Sequence, residues 1–197
     1  MELDTGTPNL DGVFYHAPTR SVSSTRSAAV SLRYYVRSRV PTWPLEQLRR
    51  PVPFDPTGRR EEWLRGLQLP RGLDPRVKAL AERIVARTTR FAFYDRARLI
   101  ETYLKGHYDY TLHPGPVPPG EDPVVRFLFT TRRGHCEYFA TAFAVLLRAV
   151  GIPARVVGGF QGGMWDDEAG VAVFFTSHAH VWVEWYLPGV GWAVSYT

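Results

Sequence analysis

Apolar residues recur at helical spacing through the middle of the chain and at strand spacing toward its end. Val77, Leu80, Ala81, Ile84 and Val85 share one face of a helix that begins after Asp74-Pro75, an N-cap followed by proline at the first helical position. A second helix is predicted over 94–105, with Ala97, Ile100 and Leu104 on one side and Gly106 to close it. A third runs from Glu137. Its Phe139, Phe143, Leu146, Leu147 and Val150 form a broad buried stripe, Gly151 ends it and Pro153 blocks its continuation. The period then changes. Residues 154–160, 170–177, 180–187 and 192–196 read as strands, and Pro188-Gly189 turns the last two into a hairpin. Helices followed by an antiparallel sheet predict an α+β fold, with helices packed on the sheet.

The first part of the chain is patterned differently. Residues 1–30 are polar with scattered Gly, Pro, Ser and Thr, and 21–27 reads as a loop. A strand is predicted over 30–40. Pro41, Pro44, Pro51, Pro53 and Pro56 follow, a density that argues against regular helix and for an extended linker over 41–58. The division is therefore an extension over 1–73, without an assigned function, and a core over 74–197. Within the core, 107–110 is short and extended, 113–120 is a rigid irregular loop, and 122–129 leads into 130–134 and Cys136.

Composition narrows the classes. With 197 residues, 45% hydrophobic and 14% aromatic, the chain is long and apolar enough for a sizeable core. The net charge is +5 and the pI about 9.6. That basicity is diffuse. Its densest stretch, 36–60, is mixed with prolines and aromatics and carries no nucleic-acid motif, so no nucleic-acid partner is expected. One cysteine excludes an intrachain disulfide and a Cys-rich zinc site. The longest apolar runs, such as 171–175, are too short to span a bilayer. The start, Met-Glu-Leu-Asp-Thr-Gly, does not read as a secretory signal. The expectation is a soluble chain or an excised soluble part of a larger protein.

The single cysteine carries the candidate chemistry. Cys136 follows Gly134-His135 and precedes the most apolar helix, so it sits in the first turn, where the helix dipole favours a thiolate. Gly134 is expected to let the backbone turn and leave the sulfur accessible. A free N–H at the helix start could stabilise an oxyanion. The base must come from elsewhere in the fold. His180 opens a strand whose alternation puts His180, Trp182 and Glu184 on one face and Val181, Val183 and Trp185 on the other. Spacing alone does not separate a catalytic pair from a buried Cys and a structural His.

The blocks around these residues resemble a known family. The run from Gly134 to Phe160 (GHCEYFATAFAVLLRAVGIPARVVGGF) resembles the cysteine segment of the transglutaminase-like superfamily. It is most similar to bacterial membrane-associated transglutaminase core domains. The approach over 122–134 (DPVVRFLFTTRRG), the GGMW at 162–165 and the block SHAHVWVEWYLPGVGW at 177–192 resemble that family too, in the same order, so the resemblance spans 74–192. It implies a papain-like Cys–His–Asp site with Cys136 as nucleophile and His180 as base. The family's aspartate lies six positions into Gly-Trp-x-x-x-Asp-Pro, and here that position is Tyr196. Three explanations stay open: a truncated or divergent end with impaired activity, substitution by Asp166 or Asp167, or a Cys–His dyad working alone. His178 also stands where relatives often carry Asp.

Several neighbours are weighed against these. His135 reads as a wall of the cleft, Trp182 as a cleft residue or a packing one, Glu137 as dipole-stabilising, and Tyr138 and Trp165 as candidate cleft residues for which core packing is the better reading. His135, His178 and His180 lack a ligand pattern for a metal. The resemblance implies acyl transfer from a glutamine carboxamide or a peptide carbonyl through a Cys136 thioester, to an amine or to water, without a cofactor. Its partners would be protein or peptide substrates. It also implies an extracytoplasmic setting, with membrane attachment only through parts of a parent protein beyond this chain. A peptidase or amidase, and an inactive binding module, are the rival readings.

Overall fold

The computed structural model describes residues 2–3, 13–16, 21–24, 36–37, 42–50, 60–89 and 91–195. The chain divides into two compact units, Met1–Trp43 and Pro44–Thr197. In the first, β1 (Glu2–Leu3) pairs with β4 (Val36–Arg37), and β2 (Val13–His16) pairs with β3 (Ser21–Ser24), both antiparallel. The loop predicted over 21–27 is thus a strand where it is described, because the ladder with Val13–His16 satisfies its backbone. The strand predicted over 30–40 is present at Val36–Arg37, and its remainder lies outside the described residues.

The proline-rich stretch does hold helix, contrary to expectation. α1 (Leu45–Arg49) fits between Pro44 and Pro51. Pro44 is the N-cap, where a missing N–H does no harm, so the prolines bound the helix without interrupting it. α2 (Arg60–Gly66) follows, and its Trp63 meets the ring edges of Phe93 and Tyr186.

Asp74 starts the main helical layer. Its side chain accepts from the Arg76 N–H at 2.9 Å and caps α3 (Pro75–Val85), as the sequence predicts. Side-chain and backbone hydrogen bonds from Arg76 hold the Asp74 carboxyl below its ordinary range. α4 (Phe93–His107) runs past Gly106. It ends instead where Tyr108 turns extended while its N–H still reaches the Leu104 carbonyl. α6 (Cys136–Ala149) packs against both, burying Phe139, Phe143, Leu146 and Leu147 against Val77, Leu80, Ile100 and Leu104. Gly151, at φ 81°, closes α6 as the pattern requires.

The sheet has the order β11-β10-β7, all antiparallel, from β7 (Ala154–Phe160), β10 (Ala179–Leu187) and β11 (Gly191–Ser195). Val183, Trp185 and Leu187 of β10 are buried, and α6 packs on that strand. Arg148 ties helix to sheet. Its Nε and Nη2 donate to the Ala154 carbonyl at 3.0 and 2.8 Å and Nη1 to the Gln68 carbonyl at 2.8 Å, and burial draws its guanidinium below the ordinary arginine value.

The strand expected over 170–177 stops early. β9 (Val171–Val173) pairs with β8 (Met164–Asp166), a hairpin the sequence pattern did not reveal. A 3-10 turn over Thr176–His178 then replaces the strand, because the Phe175 N–H donates to the His178 Nδ1 at 3.1 Å. Among the described residues, no helix is long and apolar enough to cross a membrane.

Candidate active site

The segment that delivers Cys136 is held at each step. Asp122 caps α5 (Pro123–Arg126) through the N–H groups of Val124 and Val125. α5 then widens into a π-helical turn over Phe127–Thr131, closed by the Arg132 N–H on the Phe127 carbonyl at 3.1 Å. Arg132 itself takes the left-handed conformation, φ 51° and ψ 26°. Among the described residues it is the non-glycine at positive φ. The sharp turn expected at Gly134 is therefore made at Arg132. Gly134 serves differently: a Cβ there would stand 2.7 Å from the Tyr138 Cβ, so only glycine lets Tyr138 lie over the strand.

β6 (Arg133–Gly134) runs parallel to β5 (Asp109–Tyr110). The Asp109 N–H donates to the Arg132 carbonyl at 2.9 Å and the Thr111 N–H to the Gly134 carbonyl at 2.8 Å, which fixes both sides of the turn. His135 is the N-cap of α6. Its carbonyl accepts from Tyr138 and Phe139 at 3.0 and 3.3 Å, so the N–H groups of Cys136 and Glu137 precede the first intrahelical bonds. Cys136 is the first helical residue, half-buried, with a free thiol. This is the placement that leaves N–H donors at the helix start for an oxyanion.

Aromatic packing keeps the platform rigid. Tyr138 meets His135 edge to face at 4.9 Å and Phe127 at 5.8 Å. Phe127 is fully buried between Tyr108 and Phe139. The Tyr108 hydroxyl donates to the Leu128 carbonyl inside the π-turn at 3.0 Å, and burial pushes its pKa up to about 12. The His135 Nδ1 lies 4.0 Å from a Glu137 carboxylate oxygen.

The second half of the site is on the sheet. His180 is the second residue of β10 and stands opposite Gly159; Trp182 stands opposite Val157 and Glu184 opposite Arg155. These residues share the face turned away from the buried Val183 and Trp185, as alternation predicts. A Cβ on Gly159 would meet the Trp182 ring at 2.6 Å, so that indole folds diagonally across Gly159, beside His180. Arg155 donates from Nε to Glu184 at 2.7 Å and stacks its guanidinium 4.2 Å over Trp192.

The structure thus gathers Cys136, His135 and Tyr138 at the start of α6, and His180 with Trp182 at the start of β10. These two elements pack on each other. Among the described residues no hydrogen bond joins the Cys136 thiol to the His180 ring. Tyr196 lies outside the described residues. Asp166 is engaged in the hairpin turn, its Oδ1 accepting from the Glu168 and Ala169 N–H groups at 3.0 Å. Trp165, read as a packing residue, is 64% exposed, because its hairpin stands away from the core. Among the described residues no group of three His, Cys, Asp or Glu side chains is arranged to hold a metal. Arg132, Gly159 and the Arg155–Glu184 pair were not legible as site residues. Only the double glycine at 158–159 gave a signal, a place where something bulky crosses the strand.

Comparison with known proteins adds to this geometry. The family model of the transglutaminase-like superfamily matches residues 78–196. A protein-glutamine gamma-glutamyltransferase of Pseudomonas aeruginosa is 41% identical over 155 residues, which cover 78% of this chain and 22% of that protein. The uncharacterized protein YebA of Bacillus subtilis is 35% identical over 134 residues, 65% of this chain and 18% of that one. The crystal structure of the periplasmic domain of TgpA from P. aeruginosa superposes with a TM-score of 0.60 at 36% identity, covering 68% of this chain and 45% of that chain. The same domain bound to ethylmercury gives 0.57 at 37% identity, covering 68% and 47%. The chain spans about a fifth of the length of the curated relatives it matches.

Proposed function

Because the chain belongs to the transglutaminase-like superfamily, we propose that it transfers acyl groups from glutamine carboxamides through a thioester on Cys136. The observation that carries this reading is the free, half-buried thiol on the first residue of α6, a helix packed on β10, the strand that holds His180 near its start. His180 takes the thiol proton. The Cys136 sulfur attacks the carboxamide carbon, the C–N bond breaks, and the proton passes from His180 to the departing ammonia. The N–H groups at the start of α6 hold the charge that develops on the carbonyl oxygen. A neutral primary amine then attacks the thioester, gives a proton to His180, and the thiolate leaves. The amine nitrogen forms the new amide bond, and water in its place gives the free acid. Trp182, folded over Gly159 beside His180, walls the acyl cleft on the sheet side.

The likeness to a protein-glutamine gamma-glutamyltransferase supports acyl transfer to an amine, and the solved relative, a periplasmic domain, supports an extracytoplasmic setting. The partners are then polypeptides carrying glutamine and amine groups. Tyr196, at the position where the family carries aspartate, favours a second reading, a site that binds without turning over. A glutamine peptide incubated with the chain, with and without a primary amine, separates these by mass spectrometry. The proposal expects an amine adduct with loss of ammonia, abolished in Cys136→Ala and slowed by about 10⁴-fold or more in His180→Ala. Acid product alone, even with amine in excess, identifies a hydrolase. No product, together with Cys136 alkylation whose pH profile is unchanged by His180→Ala, identifies the inactive module.

A further inference from the structure

Charge and apolar exposure are distributed unevenly around this site. The chain carries 24 Lys and Arg residues against 19 Asp and Glu, yet Arg155 is the last basic side chain of either kind. On the cysteine side the exposed Arg132 and Arg133 flank the helix start. On the histidine side, residues 156–197 hold Asp166, Asp167, Glu168 and Glu184, and Glu184 is already paired with Arg155. The three remaining carboxylates cluster at the tip of the β8–β9 hairpin.

The same hairpin exposes apolar surface that a solvated loop would not. Phe160, Met164, Trp165, Val171, Phe174 and Phe175 are all exposed, and every residue from 161 to 170 is exposed. This surface is built, not frayed. Phe174 lies over Gly163, where a Cβ would stand 2.6 Å from its ring, and approaches Phe160 at 6.3 Å. Phe175 meets His178 at 5.5 Å, and the Gln161 N–H donates to the His178 carbonyl at 2.9 Å. The patch lies next to the site along the strands, since Phe160 pairs with Ala179, one position from the Gly159–His180 pair and on the other face of the sheet.

We propose that this aromatic, acid-tipped hairpin docks the amine-bearing substrate, a polypeptide segment in which lysines alternate with apolar side chains. The inference rests on the Cys136–His180 reading and deepens it by giving the acceptor a surface on the histidine side. Charge complementarity selects the occupant. Carboxylates beside exposed aromatic faces attract a cationic, partly apolar chain, and they repel an anionic lipid surface. One lysine bound short of the tip would reach the thioester beside His180, after its ammonium has lost a proton to solvent.

Binding and chemistry can be tested apart. In the full chain carrying Cys136→Ala, fluorescence anisotropy of a labelled peptide alternating lysine with leucine is measured at low and at physiological salt. The expected result is saturable binding, weakened about tenfold by salt, by lysine acetylation, by the pair Asp167→Lys and Glu168→Lys, and by Trp165→Ser. Asp166 is kept, because it holds the turn. With Cys136 intact, the pair should lower the ratio of lysine-peptide to hydroxylamine transfer rates about tenfold. Equal binding by the acetylated peptide or by the variants overturns the proposal. So does hairpin-dependent binding to phosphatidylglycerol vesicles, which makes the face a lipid contact, or self-association lost in Trp165→Ser, which makes it an interface between copies. Binding as expected without any transfer leaves the docking surface standing and removes the chemistry. Transfer indifferent to the hairpin does the reverse.

Discussion

Gly134 and Gly163 are blocked to nearly the same degree, with the nearest atom to a built Cβ at 2.7 and 2.6 Å. What blocks them differs. At Gly134 the obstacle is the Tyr138 Cβ and Cγ, atoms fixed to the helix that carries Cys136. At Gly163 it is the far edge of the Phe174 ring, on an exposed hairpin, and that ring can swing. The cysteine side of the site is therefore clamped by the root of a side chain fixed to a buried helix, and the histidine side is bordered by ring edges that can give way. On the proposed reading, rigidity suits the nucleophile, whose attack angle must be held, and adjustable aromatic surface suits the docked substrate.

Substitutions can break this contrast or sharpen it. Gly134→Ala should be the most damaging, at about 2–3 kcal/mol of unfolding free energy, because the new methyl displaces Tyr138 and the start of α6; denaturant titration measures it, and a loss below half of the lower figure would mean that the clamp is soft. Arg132→Val should follow, at about 1–2 kcal/mol, since a β-branched residue resists the left-handed conformation, while Arg132→Gly should stay within about 0.5 kcal/mol of the parent.

Tyr108→Phe removes the hydroxyl bond to the Leu128 carbonyl and should cost about 1 kcal/mol. Its pH dependence sharpens the test. Burial, followed by the neighbouring Tyr103, raises the Tyr108 pKa to about 12 in the folded chain, above the ordinary phenol value of 10.0. The neutral phenol is thus favoured by folding. Its contribution is complete below pH 10 and is lost as pH climbs toward 12. Thermal melts across that window should fall more steeply for the parent than for Tyr108→Phe. Gly163→Ala should be the mildest, within about 0.5 kcal/mol. An effect equal to that of Gly134→Ala would erase the difference between the two sides.

Much of the scaffold was legible because its signals are local. Asp74-Pro75, the stripe from Phe139 to Val150 and the Pro188-Gly189 turn each declare an element within a few residues, and each element formed where it was read. The place of Cys136 at a helix start was legible for the same reason, since an apolar helix begins there. The π-turn was not, because the shift that produces it, an Arg132 N–H reaching Phe127, is set by the packing of Tyr108 and Phe127 and leaves no sequence period. β8, and with it the β8–β9 pairing, escaped because its three residues are all exposed, so no alternation marks it. The role of Gly134 was misread for a related reason. Glycine signals freedom of the backbone, but here the need is for space, and the side chain that needs it lies a helical turn away.

The uneven placement of cationic side chains also decides how the molecule comes apart under trypsin, which cuts after lysine and arginine. Cys136 lies between Arg133 and Arg148 on a short stretch of its own, whereas nothing from 156 to 197 offers a bond to cut. An adduct on the thiol is thus carried by a small peptide, while the aromatic hairpin, His180 and Trp182 are released together as one long one.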